Sequence, residues 1–134
     1  MENSNTVMLP TVYSGDLLLI NNVKINKILQ YKIGYMKLWA SNTGRNMAGS
    51  NRGTMIGIFP KLFIKIGKMT EDEMSEFLSL VNKASADVTY YDTEYKRQVT
   101  ASFYFGDAID ELNRKRDMTH KAIEINIIAN DARE

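Results

Sequence analysis

The sequence predicts a mainly β fold: a two-sheet antiparallel β-sandwich or a partly closed barrel, with one flanking α-helix. Apolar and polar residues alternate with a period of two in several segments after residue 17, as in half-buried strands. One segment, at about residues 71–83, instead has apolar residues at helical spacing. Because strands are expected both before and after this helix, we expect the helix to pack on the sheet.

Length and composition restrict the class of protein. A chain of 134 residues with 44% hydrophobic and 25% charged residues is typical of a globular protein with one domain. We expect residues 1–16 to form an N-terminal arm and residues 17–134 a single domain. The apolar runs are too short to cross a membrane, and no secretory signal is recognisable. We therefore expect a protein that is made in the cytoplasm and not exported.

The first strands are indicated by turn residues and alternation. Asn21-Asn22 stands between two apolar runs, and asparagine tolerates the left-handed dihedral angles of a tight hairpin turn. A long strand is predicted from Ile28, with aromatic residues on one face; Tyr31, Ile33, Tyr35 and Trp39 share that face. Alternation returns at residues 56–66 and is interrupted at Pro60, which predicts a bulge, an edge position or a joint between two strands.

Between these strands, residues 41–53 form a polar stretch with three glycines and no helical or strand period. A loop of this length in a small domain usually has a function or is disordered. Gly44 and Gly49 have the spacing of a phosphate-binding loop, but the lysine that such a loop requires is missing. Arg45 and Arg52 are candidates for contacts to a nucleic-acid backbone, although two arginines give only weak non-specific affinity. Contact with a neighbouring protein subunit is at least as good an interpretation, because arginine is favoured at protein interfaces.

The helix has a recognisable start. Thr70 is a suitable N-cap, and Glu73, three residues later, completes a capping box. Met69 and Met74 stand at the positions of a hydrophobic staple. The predicted apolar stripe consists of Met74, Phe77, Leu78 and Val81.

The last part of the chain returns to strands. Residues 88–91 and 98–105 are rich in β-branched and aromatic residues, and the polar residues between them predict a hairpin connection. Residues 106–119 are interpreted as a charged loop with a short helical turn near 109–113. The final strand is predicted at residues 121–129, with Ile123, Ile125 and Ile127 on one face.

Charge is distributed unevenly along the chain. Residues 1–70 carry nine Lys and Arg against two acids, and residues 71–134 carry eight against fourteen, giving about +7 and −6. Such asymmetry is compatible with nucleic-acid binding, with an acidic tail or with self-association. The net charge of +1 disfavours a general nucleic-acid binder.

Few residues suit catalysis. There is no cysteine, and His120 is the only histidine, so we interpret it as a surface or strand-end residue. Asp107, Asp110 and Glu111 are candidates for a metal site or for acid–base chemistry. The basic residues that follow favour a solvated loop instead. A carboxylate-dependent hydrolase centred on Asp107 and Asp110 therefore remains a less favoured alternative.

A small β-barrel module that binds nucleic acid is the other alternative. Its base-stacking residues would come from the aromatic side chains and its backbone contacts from Arg45, Arg52 and residues 114–116. Aromatic residues that alternate along strands are more often core residues, which is our preferred interpretation of Tyr31, Tyr35, Trp39, Tyr90, Tyr91 and Tyr95.

Taken in order, several segments resemble small proteins encoded among the tail genes of phages and prophages, and more broadly the tail tube and distal tail ring proteins of long-tailed phages. The resemblance covers about residues 17–130. It is carried by residues 19–23 (LINNV), 44–46 (GRN) through 53–55 (GTM), 61–66 (KLFIKI), 69–74 (MTEDEM), 88–92 (VTYYD) and 103–107 (FYFGD).

This resemblance implies a non-enzymatic structural protein of the virion tail, with no catalytic residue, metal or cofactor. Its subunits would form a ring, a hexamer by analogy with the family, as a tail tube subunit or as a distal tail or baseplate component at the tail tip. The expected partners are further copies, neighbouring tail proteins and the tape measure protein, with DNA only passing through the channel. The loop residues implied in contacts between subunits are Asn42, Arg45, Asn46, Met47, Asn51 and Arg52.

Overall fold

The structure is a computed structural model that describes residues 15–40, 44–45, 51–52 and 54–134. The first five strands are β1 (Leu18–Ile20), β2 (Val23–Lys24), β3 (Ile28–Trp39), β4 (Gly44–Arg45) and β5 (Asn51–Arg52). They are followed by β6 (Met55–Ile66), the helix α1 (Glu71–Val81), β7 (Ala86–Asp92), β8 (Arg97–Phe105), β9 (Leu112–Arg114), β10 (Thr119–His120) and β11 (Ile123–Ala129).

Seven strands form one antiparallel sheet in the order β2-β1-β7-β8-β11-β6-β3. β7 and β3 are four places apart, which would separate them by about 19 Å in a flat sheet with strands about 4.8 Å apart. The Tyr31 hydroxyl on β3 nevertheless donates a hydrogen bond to the Tyr91 carbonyl on β7 at 2.6 Å. The sheet is therefore strongly curved, and its two halves face each other.

The predicted mainly β fold with one helix is confirmed. Of the two arrangements that the sequence left open, the structure has the more barrel-like one: a single curved sheet, not two separate main sheets. β4 with β5 and β9 with β10 form two further two-stranded sheets.

The predicted hairpin at Asn21-Asn22 is confirmed. Both residues have positive φ, 49° and 69°, as a tight turn between β1 and β2 requires. Ile20 pairs with Val23 directly across the turn. The Asn21-Asn22 turn thus sets the register between β1 and β2, and β7 pairs with the other edge of β1.

β3 and β6 pair along almost their whole length. β6 runs through Pro60 without a register shift, so of the three predicted possibilities the edge position is correct. The pairing of β6 with β11 covers only Lys61 to Ile66, and Pro60 is the first residue beyond it. Because β11 does not pair with Pro60, the missing N–H of the proline removes no hydrogen bond between β6 and β11.

The interpretation of residues 41–53 as wholly without strands was wrong. Gly44 pairs with Arg52 and Arg45 with Asn51, which forms the two-residue strands β4 and β5. Strands this short show no period in sequence. β4 and β5 pair in the antiparallel sense and form a sheet of their own.

The capping box of α1 is confirmed. The Glu73 N–H donates to the Thr70 hydroxyl at 3.3 Å, and the Thr70 N–H donates to the Glu73 carboxylate at 3.0 Å. Met69 and Met74 are both buried, as expected of a staple. The stripe differs at one position: Leu80 is buried, whereas Leu78 is only partly buried.

The strands after α1 were predicted well, but the loop between β8 and β11 was not. β7, β8 and β11 lie where alternation indicated, and Ile123, Ile125 and Ile127 are buried. The helical turn predicted at 109–113 was wrong, because residues 112–114 form β9 and pair with β10. α1 and the inner face of the curved sheet share one hydrophobic core. Within it Tyr90 and Phe103 meet edge to face at 5.4 Å.

Loss of the cap is expected to weaken the protein measurably. Replacing Thr70 with alanine leaves the Glu73 N–H without its acceptor and should lower the free energy of unfolding by about 1 kcal/mol. Ser75→Ala, at an exposed position of the same helix, is the matched control and should change it by less than about 0.5 kcal/mol. Chemical denaturation measures both, and equal stabilities would contradict the role of the cap.

Candidate functional site

The far halves of β3 and β6 form a two-stranded ribbon. Residues 35–39 pair with residues 55–60, beyond the point where β11 ends. One backbone hydrogen bond joins the other side of β6 in this region, from the Arg133 N–H to the Ile58 carbonyl at 2.7 Å. The segment that contains Arg133 can approach β6 closely because residue 57 is glycine. A Cβ at Gly57 would lie 2.6 Å from the Cβ of Ala132.

Large apolar side chains on this ribbon are exposed. They are between 41% and 58% exposed, and they are Met36, Leu38, Trp39, Met55 and Ile56. Scattered exposed apolar residues are normal on a protein surface, whereas adjacent ones mark an interaction site. Trp39 pairs directly with Met55, so these two side chains share a face. Along β3, Met36 and Leu38 alternate with Trp39 and therefore lie on the opposite face of the ribbon. We refer to these five residues, which cover both faces, as the apolar ribbon surface.

β3 is an edge strand. Among the described residues its ladder partner is β6 alone, so its other edge presents backbone N–H and C=O groups over 12 residues. The opposite edge of the sheet is β2, of two residues. Natural proteins usually keep edge strands short or covered, because exposed edges pair with other chains. A long edge with apolar side chains is therefore suited to association.

The predicted contact residues belong to the part of the chain between β3 and β6. The backbones of Arg45, Asn51 and Arg52 belong to β4 and β5. Asn42, Asn46 and Met47 lie outside the described residues, as do residues 1–14 of the expected arm. The assignment of these side chains to contacts between subunits thus stays a prediction. Thr70 and Glu73, the predicted helix cap, are located away from the ribbon, on α1.

At the base of the ribbon lies a buried charge cluster. The Asp92 carboxylate is fully buried, and the Arg133 guanidinium donates to it at 2.9 Å. A second Arg133 nitrogen donates to the Glu94 carboxylate at 2.5 Å. Asp92 also accepts hydrogen bonds from the Tyr95 N–H at 3.1 Å and the Tyr35 hydroxyl at 3.2 Å. The buried carboxylate is thus paired with a cation and hydrogen-bonded, as burial of a charge demands.

The pKa values in this cluster follow from burial and pairing. Burial acts to raise the pKa of Asp92, but the hydrogen bonds from Arg133 and the Tyr95 N–H lower it overall. Burial acts to lower the pKa of Arg133, and its bonds to Glu94 and Asp92 raise it overall. Both groups are therefore held in their charged forms.

The predicted tyrosine groups are divided by the fold. Tyr31 and Tyr35 donate to β7, and burial strongly raises the pKa values of Tyr31 and Tyr90. Trp39 instead lies on the apolar ribbon surface. These side chains form no common exposed face, so the preferred interpretation of most of them as core and cross-strand residues fits better than a stacking platform.

His120 was correctly placed at a strand end, but it is buried. Its Nδ1 lies 2.7 Å from an Asp110 carboxylate oxygen and its Nε2 lies 2.5 Å from a Glu71 oxygen. These hydrogen bonds, first that from Glu71 and then that from Asp110, raise its pKa. The Met69 backbone pairs with His120 in an isolated bridge. His120 therefore fastens the start of α1 to the loop before β9.

Of the acidic residues at 107–111, Asp107 and Glu111 line one surface cavity, and Asp110 does not line it. Asp110 contacts His120, while Glu111 pairs with Lys121 at 3.0 Å. In the part of the chain that the structure describes, no group of three or more His, Asp or Glu side chains is arranged to hold a metal ion. No helix in these same ranges is long and apolar enough to cross a membrane.

The charge split along the chain is partly neutralised in the fold. Lys27 pairs with Glu73 at 2.7 Å, and Lys65 stands opposite Glu124 in the sheet. A basic strip remains on the outer face of β3 and β6, where the Lys32 and Lys61 ammonium groups lie 5.4 and 5.2 Å from the centre of the Phe63 ring.

Sequence reasoning missed Asp92 and Arg133. Their pairing joins residues 41 positions apart. Asp92 ends one of the segments that carry the resemblance, residues 88–92, but no role was predicted for either residue. The sequence did contain one signal for Asp92. It follows Ala86, Val88 and Tyr90 at a spacing of two, which places an acidic residue on the buried face of β7.

Comparison with known proteins gives little at the level of sequence. No protein-family model and no curated protein matches the chain. Among solved structures, the chain is similar to the Dit (gp 19.1) protein of SPP1, described as a paradigm of the hub adsorption apparatus in phages that infect Gram-positive bacteria. The two are 13% identical with a TM-score of 0.42, over 87% of this chain and 50% of the other. The chain thus spans about half the length of that phage protein.

Removal of Arg133 should be strongly destabilising. Arg133→Ala leaves the buried Asp92 carboxylate without its cation, and breaking a buried pair costs about 3–5 kcal/mol. Arg116→Ala, at an exposed position between β9 and β10, should cost less than about 0.5 kcal/mol. Chemical denaturation of both variants is the measurement; similar stabilities would show that the cluster is not needed.

His120 should give the stability a dependence on pH. Because its pKa is raised in the folded state, the stabilisation is complete below the unfolded pKa of about 6.5 and is lost as the pH rises through the folded pKa. The melting temperature should therefore fall as the pH rises above about 6.5. His120→Gln should remove most of this slope, since His120 is the only histidine. A slope that persists in the variant would exclude His120 as its source.

Proposed function

We propose that this protein is a non-enzymatic structural component of a phage or phage-derived tail, which assembles into a homo-oligomeric ring. The observation that carries this proposal is the edge of β3, which has no second ladder partner among the described residues and is bordered by the apolar ribbon surface. In the proposed ring, this edge and surface contact the next copy. The proposed location is the virion tail, as a tube subunit or as a ring at the tail tip.

The edge supports the proposal because it supplies two kinds of contact at once. Unpaired backbone groups can continue a sheet into a neighbouring chain. The adjacent apolar side chains add burial, at about 25 cal/mol for each Å² removed from water. An edge that contacts a different surface of the next copy is a heterologous interface, which gives a ring when its rotation closes.

The resemblance in sequence supplies the details of the proposed ring. It implies six subunits around a channel for DNA and the tape measure protein, with neighbouring tail proteins above and below. We assign the contact to an adjacent subunit or ring to the loop between β3 and β6, namely to Asn42, Arg45, Asn46, Met47, Asn51 and Arg52. The length and polarity of this loop in the sequence support the assignment. The double variant Arg45→Glu/Arg52→Glu tests that assignment by its effect on assembly.

A charged pair on the apolar ribbon surface should prevent assembly. Trp39→Glu/Met55→Glu places two like charges opposite each other on one face of the ribbon, where they repel each other and would be buried in the proposed interface. Sedimentation velocity and negative-stain electron microscopy should give rings for the unchanged protein and monomers for the double variant.

The control is Ile109→Glu, which changes a side chain that is 80% exposed and lies outside the ribbon. This variant should still assemble. A monomer at high concentration in the unchanged protein, or equal assembly of all three proteins, would overturn the proposal.

A further inference from the structure

The main sheet has a gap between β8 and the end of β11. The two strands pair only at residues 103–105 of β8, and one further backbone hydrogen bond joins the Asn130 N–H to the Ser102 carbonyl at 3.0 Å. Residues 97–101 of β8 pair with β7 and with no other strand among the described residues. This part of β8 is therefore a second open edge, which lies inside the sheet and not at its border.

The backbone of Thr100 is directed into this gap. In an antiparallel strand, alternate residues direct both their N–H and their C=O to the same side. The Ser102 carbonyl accepts from the Asn130 N–H on the β11 side. Thr100, two residues earlier, therefore directs its N–H and C=O to that side as well. An added strand finds one donor and one acceptor there.

A cavity of about 400 Å³ lies along this edge. Its lining includes every residue of β8 from Arg97 to Phe103, so both faces of the strand border it. Val99 and Ala101 are on the same face of β8 as the buried Phe103, and they pack partly against the core. The inner side of the cavity next to β8 is therefore apolar, and it suits an occupant with alternate apolar side chains.

The described part of the chain begins close to this cavity. The Gln98 side chain, on a residue that lines the cavity, donates to the Asp16 carbonyl at 2.8 Å, and the Tyr91 N–H donates to the Leu17 carbonyl at 3.1 Å. Residues 1–14 lie outside the described residues. A strand added to β8 would lie three strand spacings from β1, which is about 14 Å. About five residues of extended chain can cross this distance.

Residues 7–9 (VML) have a suitable position in the chain and suitable side chains. Five residues separate them from the first described residue, as the distance to β1 requires. Val7 and Leu9 alternate with Met8, so both can face the apolar side of the cavity. Pro10, which has no N–H to donate, follows directly and ends the run.

We propose that residues 7–9 bind in this cavity as a short strand beside residues 99–101 of β8 in the same chain. With this edge covered, the long open edge of the described sheet is β3, so association with other copies is directed to the apolar ribbon surface. The proposal does not depend on the tail function, because the segment and the cavity belong to one copy of the chain.

Disulfide cross-linking tests the proposal in the full chain, which has no cysteine of its own. The antiparallel register places Val7 opposite Ala101 and Leu9 opposite Val99. Both are close pairs with Cα atoms about 4.5 Å apart, a distance that suits a disulfide. Under mild oxidation, Val7→Cys/Ala101→Cys and Leu9→Cys/Val99→Cys should form an intramolecular disulfide at least about tenfold faster than the control. Free-thiol titration and non-reducing gel electrophoresis measure the rate and the product.

The matched control is Leu9→Cys/Ser75→Cys, since Ser75 is exposed on α1. Equal rates in all three variants would show that the segment has no preferred position. A disulfide that links two copies would show that a neighbouring chain supplies the strand. Either result would overturn the proposal.

Hydrogen exchange gives a second readout in a chain without introduced cysteines. Leu9→Asp places a charge on the apolar side of the cavity, so the added strand should be lost and the Thr100 amide should exchange at least about tenfold faster. Asn5→Asp, which introduces the same charge outside the segment, should leave this rate unchanged. An equal Thr100 rate in both variants would contradict the proposal.

Discussion

The closure of the curved sheet depends on the burial of one carboxylate. Asp92 ends β7 on the face that carries the core, where an unpaired charge would be costly. Its partners come from three directions: Tyr35 from β3, the Tyr95 N–H from the adjoining turn, and Arg133 from beyond β11. All three must be in place for the charge to be tolerated. The requirement to satisfy Asp92 therefore specifies how β3 lies over β7.

The contacts around Asp92 also fix the position of the ribbon. Tyr31 and Tyr35 attach the middle of β3 to β7, and the Arg133 backbone attaches β6 at Ile58. Beyond these attachments the two strands continue without β11. A ribbon held by these bonds, and paired with no third strand in the part of the chain that the structure describes, presents the apolar ribbon surface in defined directions. Defined presentation of such a surface is useful for assembly, because a rigid interface loses little entropy on association.

Local chemistry explains why some elements were predicted correctly. The turn at Asn21-Asn22 and the cap at Thr70 each depend on residues at most three positions apart. The alternation of Ile123, Ile125 and Ile127 indicates a strand, and the seven residues of β11 are enough to show the two-residue period of buried side chains. β1 and β2 are as short, but the Asn21-Asn22 turn between them indicated their hairpin. The other strands of two or three residues, β4, β5, β9 and β10, were missed because they are too short to show a period. A helical turn was even predicted where β9 lies, because so few residues define no period.

From sequence alone follow the class of fold, the helix and its cap, and the strands that carry one buried face, since each is encoded by neighbouring residues. Tertiary structure decided the rest. The main sheet is a single curved one and not two stacked sheets. His120 lies between Asp110 and Glu71, and Arg133 pairs with Asp92. β3 lies at an edge of the main sheet. These features depend on which distant strands become neighbours, and strand order follows from burial and charge pairing across the whole chain, which no local pattern records.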